Sequence, residues 1–124
     1  MSKSVVLDKS FNFGLKIIKL YMKLRSKNEF TLSNQLVRSA TSIGANITET
    51  QYAQSRKDFI NKMSIALKEA NETEYWLKLL SKSDIIEEIE YENYIKECLE
   101  IKMILISIVK SSKDSLIHRR WIIS

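Results

Sequence analysis

The chain has 124 residues and a mass of 14.5 kDa, enough for one domain that buries a core without disulfides or a structural metal. It contains no proline and only two glycines, Gly14 and Gly44, which excludes most sandwiches, barrels and doubly wound sheets. Lys and Arg number 20 against 15 Asp and Glu, so the formal net charge is +5, which favours a polyanionic partner.

The first predicted helix runs from about Ser4 to Ser26. Its apolar positions recur at helical spacing and cover more than half of the circumference, so this helix needs more than one neighbour. The opposite side carries a stripe of lysines, which we expect to be solvated: Lys9, Lys16, Lys19, Lys23 and Lys27.

The second predicted helix runs from about Leu32 to Gln54, with Thr31 or Ser33 as its N-cap. Small side chains surround Gly44 in its middle. Since a glycine in a helix interior costs about 1 kcal/mol relative to alanine, we expect the small residues to permit a close approach by another helix.

The third predicted helix runs from about Arg56 to Lys82. Ser55 is its expected N-cap, and Asp58 stands where a capping box places an acidic residue. Its core stripe begins at Phe59 and continues through Met63 at helical spacing.

The fourth predicted helix runs from about Glu87 to Lys113. Its segment Met103–Ile106 is apolar on every side, which predicts burial on several sides. The residues that follow carry no capping signal, and we expect residues 116–124 to form a C-terminal tail that is ordered only against a neighbour.

The connections between the predicted helices are short and favour antiparallel neighbours. We therefore predict an all-α fold in which residues 1–115 form an antiparallel, up-down-up-down four-helix bundle. The apolar surface exceeds what one subunit can bury, so the sequence also predicts a homo-oligomer.

Charge is polarised along the chain. Residues 1–31 carry seven basic and two acidic side chains, whereas residues 83–106 carry two basic and seven acidic ones. Three interpretations stay open for the lysine stripe. It contacts a phosphate backbone, it faces the acidic start of the fourth helix within or between subunits, or it is an ordinary solvated face.

Polar residues also cluster where a core is expected. Arg38, Asn46 and Glu49 share one side of the second helix, and Glu74 projects onto the apolar side of the third. We expect a structural polar network in which Arg38 pairs with Glu74 or with a carboxylate of an adjacent subunit. A ligand-binding role for these residues is the alternative.

The inventory of catalytic side chains is small. The single histidine, His118, cannot complete a catalytic triad or a two-histidine metal site within one chain. The single cysteine, Cys98, lies on the core face of the fourth helix and cannot form a disulfide within the chain, which indicates a reducing compartment. No glycine-rich loop is present to hold a phosphate. We expect no enzymatic activity, no cofactor and no metal.

No stretch of the sequence approaches the ~20 apolar residues that a membrane span requires, and the first residues lack the core of a signal peptide. The sequence therefore predicts a cytoplasmic protein with no membrane partner.

Five segments carry a resemblance to a known family. They are Lys9–Gly14, Gln35–Arg38, Ser42–Glu49, Gln54–Phe59 and Ile65–Leu77. The chain resembles the four-helix-bundle family encoded by intervening sequences within bacterial 23S rRNA genes. Many members have glycine where this chain has Thr50, so the resemblance leaves open the local bend between the second and third helices.

The resemblance implies a ring of bundles, commonly a homopentamer, and adds Glu72 to the polar network beside Glu74. The chain is also similar to the accessory variability protein of diversity-generating retroelements, a basic ring that works with a reverse transcriptase and its RNA. Neither relative is an enzyme.

These inferences give a hypothesis for function. We expect a non-enzymatic oligomer that binds structured RNA, DNA or a nucleoprotein such as a reverse transcriptase complex. The candidate nucleic-acid-binding residues are the five lysines of the stripe together with Arg56 and Lys57. The alternative is a structural adaptor that binds a protein partner without contacting nucleic acid.

Overall fold

In the computed structural model the described residues are 3–123, with side chains described for residues 5–118. Over these residues the chain forms four α-helices and one short 3-10 turn, with no strand. The helices are α1 (Lys3–Ser26), α2 (Thr31–Glu49), α3 (Arg56–Lys82) and α4 (Glu88–Ile123). The predicted all-α class is confirmed, and the predicted bounds of α1 and α3 agree closely with the structure.

The four helices share one core. Each helix contacts the next in the chain, and α1 also contacts α4. The centre of the apolar arc of α1 and the apolar face of α2 are buried: Phe13, Ile17, Leu20, Leu24, Leu36, Ala40, Ile43 and Ile47. Because these residues recur every three or four positions, their burial removes one continuous stripe of each helix from water. On α3, Phe59 is only half-buried at the edge of the core, and the neighbouring Ile60 is buried instead.

The start of α2 differs from the prediction. Neither Thr31 nor Ser33 is the N-cap. Phe30 holds that position and makes no side-chain cap, while the Glu29 carboxylate accepts hydrogen bonds from the backbone N–H groups of Leu32 and Ser33 at 3.0 and 2.8 Å. A carboxylate from the preceding turn thus satisfies two free donors and places negative charge at the helix N-terminus.

The second helix ends earlier than predicted. α2 ends at Glu49, and residues Thr50–Tyr52 form a 3-10 turn. Thr50 has a φ of −63° and its hydroxyl donates to the carbonyl of Ile47 at 2.6 Å, so this bend needs no glycine. The predicted cap of α3 is confirmed, since the Ser55 hydroxyl accepts from the N–H of Asp58 at 3.0 Å.

α4 is longer than predicted. It continues to Ile123 instead of ending near Lys113, so residues 116–123 prolong the helix. No proline or glycine follows Gly44, so nothing local stops the helix there. Ser112 is still buried, which shows that the bundle core reaches the level where a tail was expected to begin. Ser124 and the side chains of residues 119–124 lie outside the described part.

Candidate nucleic-acid interface

The predicted lysine stripe of α1 lies against the acidic face of α4. Lys9, Lys16 and Lys23 form ion pairs with Glu100, Glu97 and Glu90, with N···O distances of 3.3, 2.9 and 3.0 Å. The pairs run in opposite order along the two helices. Of the three interpretations of the stripe, contact with the start of helix four within the protomer therefore holds for these three lysines.

These ion pairs lie at the protein surface. The hydrogen bond from Lys23 to Glu90 and the charge of that carboxylate raise the pKa of the lysine above its usual 10.5. The side chains of Lys9, Lys16 and Lys23 keep 40–56% of their exposure, so water still screens the pairs. A phosphate that approached these lysines would have to compete with a carboxylate already in place.

The other predicted nucleic-acid-binding residues are placed differently. Lys19 and Lys27 are exposed, and neither has a carboxylate oxygen within 4.0 Å among the described side chains. Lys27 lines a cleft at the end of the bundle that also contains Glu87 and Glu88. Arg56 is half-buried in the first turn of α3, whereas Lys57 beside it is exposed.

Sequence reasoning missed a second set of exposed lysines. Lys68, Lys78 and Lys82 lie on α3, are exposed, and form no ion pair within the described part of the chain. Together with Lys57 they share the outer side of α3, and we refer to these four residues as the α3 stripe. Their spacing of 11, 10 and 4 residues keeps them within about 80° of one another around the helix axis, and this signal was present in the sequence.

The predicted polar network exists only in part. Arg38 lies 3.3 Å from Glu72 and 3.6 Å from Glu69, a residue that sequence reasoning missed. The expected pairing of Arg38 with Glu74 is wrong, because Glu74 lies on the other flank of α3 and accepts a hydrogen bond from Lys102 of α4 at 2.8 Å. Arg38 therefore joins α2 to α3, whereas Glu74 joins α3 to α4.

The remaining members of the predicted network make separate contacts. Glu49 pairs with Lys62 of α3 at 2.8 Å. The Asn46 side-chain amide donates to the backbone carbonyl of Ser42, one turn earlier in its own helix. The five predicted residues thus belong to several independent contacts along the bundle.

Glu69 is the buried charge of the α2–α3 contact. Its side chain is 11% exposed, and its Oε2 atom lies 3.6 Å from Arg38 Nη1 without a hydrogen-bond partner. Burial raises the pKa of the Glu69 carboxyl above 4.5 and Glu72 raises it further, while Arg38 acts in the opposite direction. One turn later, the Thr73 hydroxyl donates to the Ser39 hydroxyl at 2.9 Å across the same contact.

The single cysteine lies in the core and the single histidine lies at the surface. Cys98 is buried, and its desolvation raises the pKa of the thiol to about 12, so the thiolate is scarce at neutral pH. His118 is exposed near the end of α4. Within residues 3–123, no cluster of three or more His, Cys, Asp or Glu side chains is placed to hold a metal ion.

Two helices expose rows of large apolar side chains. The α1 ridge consists of Phe11, Leu15, Ile18 and Met22, which are 39–64% exposed. The α4 ridge consists of Leu99, Met103, Ile106 and Ile117, which are 38–64% exposed. The sequence predicted burial for the whole segment Met103–Ile106, but within the protomer only Ile104 and Leu105 are buried.

A groove lies beside the α1 ridge, between α1 and α2. Small residues of α2 form its far wall, among them Gly44, Ala45 and Thr48. Gly14 lines this groove, and apart from its chain neighbours and the nearby backbone of its own helix no heavy atom lies within 4 Å of the position a Cβ would take. No described helix is both long enough and apolar enough to cross a bilayer.

Comparisons with known proteins agree with this fold and with the resemblance inferred from the residues. Among solved structures, the chain is similar to a Bacteroides thetaiotaomicron VPI-5482 protein described as having unknown function and coming from the S23 ribosomal protein family. The identity is 53% and the TM-score 0.86, over 89% of this chain and 99% of that chain. No curated protein matches significantly. The model of the 23S rRNA-intervening sequence protein family matches residues 2–107, and the chain belongs to that family.

Proposed function

We propose that this chain is a non-enzymatic, self-associating helical bundle of the cytoplasm that binds structured RNA through exposed lysines. The observation that carries the proposal is a set of exposed lysines that no carboxylate within 4.0 Å neutralises, in a chain with a formal net charge of +5. Phosphates that pair with such lysines release condensed counterions, which favours binding. The family's connection with 23S rRNA genes supports RNA as the polyanion.

Self-association is the second part of the proposal. We propose an up-down-up-down bundle whose copies close into a ring, with five subunits as the resemblance implies. The α1 and α4 ridges are different surfaces of one subunit. A contact between unlike surfaces is heterologous, and repeating such a contact closes a ring when the rotation permits it. Rows of exposed apolar residues of this kind are typical of protein interfaces.

Sedimentation of the purified protein tests the assembly. We expect an oligomer at micromolar concentration, and a change of Met22 to Glu on the α1 ridge to shift it toward the monomer. Tyr75→Glu is the matched control, because Tyr75 is 56% exposed on α3, outside both ridges. A monomeric wild-type protein would exclude the ring.

Titration of a labelled, structured RNA at ~50 mM and ~200 mM salt tests the binding. We expect log K to fall linearly with log salt, by about 0.7–0.9 for each phosphate contact. Absence of binding at ~50 mM salt, or binding without a salt slope, would exclude contact with the phosphate backbone.

A structural adaptor is the second candidate function, and the α4 ridge favours it. If the copies associate through the α1 ridge without using the α4 ridge, Leu99, Met103 and Ile106 remain available to a protein partner. This candidate predicts an intact oligomer that does not bind RNA, so the two experiments above distinguish it from the first.

A further inference from the structure

We infer that the outer side of α3, and not the lysine stripe of α1, is the surface that contacts the RNA backbone. This inference rests on the proposed function and names the surface responsible for it. The α3 stripe, consisting of Lys57, Lys68, Lys78 and Lys82, provides the cationic groups.

The outer side of α3 carries lysines and no carboxylate. At 100° per residue, the four lysines fall within a sector of about 80° around the helix axis, which they share with Ile60, Ser64, Asn71 and Tyr75. No carboxylate lies in that sector. Lys57, Lys68, Lys78 and Lys82 are all exposed, and none has an ion-pair partner within the described residues. Lys82 lines the same end cleft as Lys27, Glu87 and Glu88, so the charge free of carboxylates is that of Lys57, Lys68 and Lys78.

The acidic residues of α3 face other parts of the chain. Glu69 and Glu72 lie against Arg38 of α2, and Glu74 lies against Lys102 of α4. Asp58 accepts a hydrogen bond from the backbone N–H of Gln54. These carboxylates are therefore already paired or hydrogen-bonded. On α1, by contrast, the lysines Lys9, Lys16 and Lys23 themselves pair with carboxylates of α4, which neutralise their charge.

The α3 helix carries neither of the two apolar ridges. The described part of α3 contacts α2 and α4 but not α1, so its outer side faces away from the α1 ridge. It contributes no residue to the α4 ridge either. A second copy that covered either ridge would leave the α3 stripe in water. Each subunit of the assembly would then add one stripe, which raises avidity for a long RNA.

The dimensions and composition of the stripe favour a duplex region of structured RNA. Lys57 and Lys82 are 25 residues apart, which corresponds to about 38 Å along a helix with a rise of 1.5 Å per residue. Tyr75 is the one exposed aromatic residue in the sector, 56% exposed, and proteins that bind single strands stack successive bases on several such rings. Contacts to phosphate should therefore dominate, with low sequence preference.

Three variants of equal charge change test the inference. The first replaces Lys57, Lys68 and Lys78 by glutamine. The matched control replaces Lys96, Lys110 and Lys113, which are exposed lysines of α4, by glutamine. The third variant replaces the α1 residues Lys16, Lys19 and Lys23 by glutamine. Circular dichroism and sedimentation establish that each variant keeps the fold and assembly of the wild-type protein.

RNA affinity and its salt slope are then measured for all four proteins. We expect the α3 variant to bind at least about 10-fold more weakly at ~50 mM salt, with a slope reduced by about 2–3, because three phosphate contacts are lost. The control and the α1 variant should stay within about 3-fold of wild type.

Each other outcome contradicts either the choice of surface, the choice of RNA as ligand or the proposed function. Equal weakening of all three variants would show that only net charge matters, and preferential weakening of the α1 variant would return the site to the predicted stripe. Both results leave RNA binding itself intact. Tighter binding of duplex DNA than of RNA would show that DNA, and not RNA, is the ligand of this surface. A wild-type protein that binds no RNA would exclude the proposed function, and an acidic protein ligand would become the occupant to test.

Discussion

Lys16 on α1 places its Nζ atom 2.9 Å from both carboxylate oxygens of Glu97 on α4, although the two residues are 81 positions apart in the chain. The pairs Lys9–Glu100 and Lys23–Glu90 lie on either side of it. The order of the three pairs requires α1 and α4 to run in opposite directions. The polarised charge of the sequence therefore contributes to the register of the first and last helices.

The energy of this contact is expected to be small. Alanine substitution of Lys16 and Glu97, singly and together, should give a coupling energy of about 0.2–1 kcal/mol, because water screens an ion pair of exposed side chains. The coupling should decrease in ~1 M salt. Urea unfolding of the wild type and the three variants measures it, and a coupling above about 2 kcal/mol would contradict the surface position of the pair.

Loss of Arg38 should leave the buried Glu69 carboxylate without its cation. We expect Arg38→Met to lower the free energy of unfolding at neutral pH by about 1–2 kcal/mol, less than for a fully buried pair because Arg38 is half exposed. Adding Glu69→Gln should recover most of that loss, since no buried charge remains. Urea unfolding of the single and double variants checks both expectations. If the two substitutions change the free energy of unfolding additively, Arg38 and Glu69 are not coupled.

Glu69 should also make stability depend on pH. Its pKa is raised above 4.5 in the folded state, so the folded chain holds this proton more tightly than the unfolded chain. Its contribution to stability therefore decreases as pH rises from about 4.5 through the folded-state pKa. Glu69→Gln removes this decrease, and its stability relative to wild type should increase between about pH 4 and pH 7. A relative stability that falls over this range in urea unfolding would indicate a lowered pKa, with Arg38 dominant.

Cys98 should not react in the folded protein. Its pKa is about 12, and its Sγ atom lies 3.6 Å from the carbonyl oxygen of Ala70 inside the core. We expect negligible reaction with a thiol reagent at about pH 8, and reaction of one thiol per chain in ~6 M guanidinium chloride. Rapid labelling without denaturant would show that the contact between α3 and α4 opens easily.

Gly44 can be tested as a site of helix stabilisation. A Cβ at this position would lie 3.5 Å from the Ser10 hydroxyl oxygen of α1 and 3.6 Å from its carbonyl oxygen, both ordinary van der Waals distances. The close approach that the sequence suggested therefore still has room for a methyl group. Gly44→Ala should raise the free energy of unfolding by about 0.5–1 kcal/mol through helix propensity. Thermal or urea unfolding measures the change, and destabilisation would show that the helices need the smaller residue.

The sequence by itself determined the elements and most of the core. Residues such as Phe13, Ile17 and Leu36 recur with the period of an α-helix, and this local pattern identifies the buried stripe whatever the neighbours are. The cap at Ser55 could also be predicted from the sequence, because its partner Asp58 lies only three residues away. The Glu29 cap was not recognised, because a carboxylate outside the helix is a less regular signal.

Only the tertiary structure decided how the charges at the flanks of each helix are used. Helical periodicity places Lys16 and Glu74 beside the core but does not say which neighbouring residue each one meets. That depends on how two helices are set against each other, and the α1–α4 pairs join residues 67–91 positions apart. The same arrangement paired carboxylates of α3 and α4 at the helix contacts. It left Lys57, Lys68, Lys78 and Lys82 of α3 exposed.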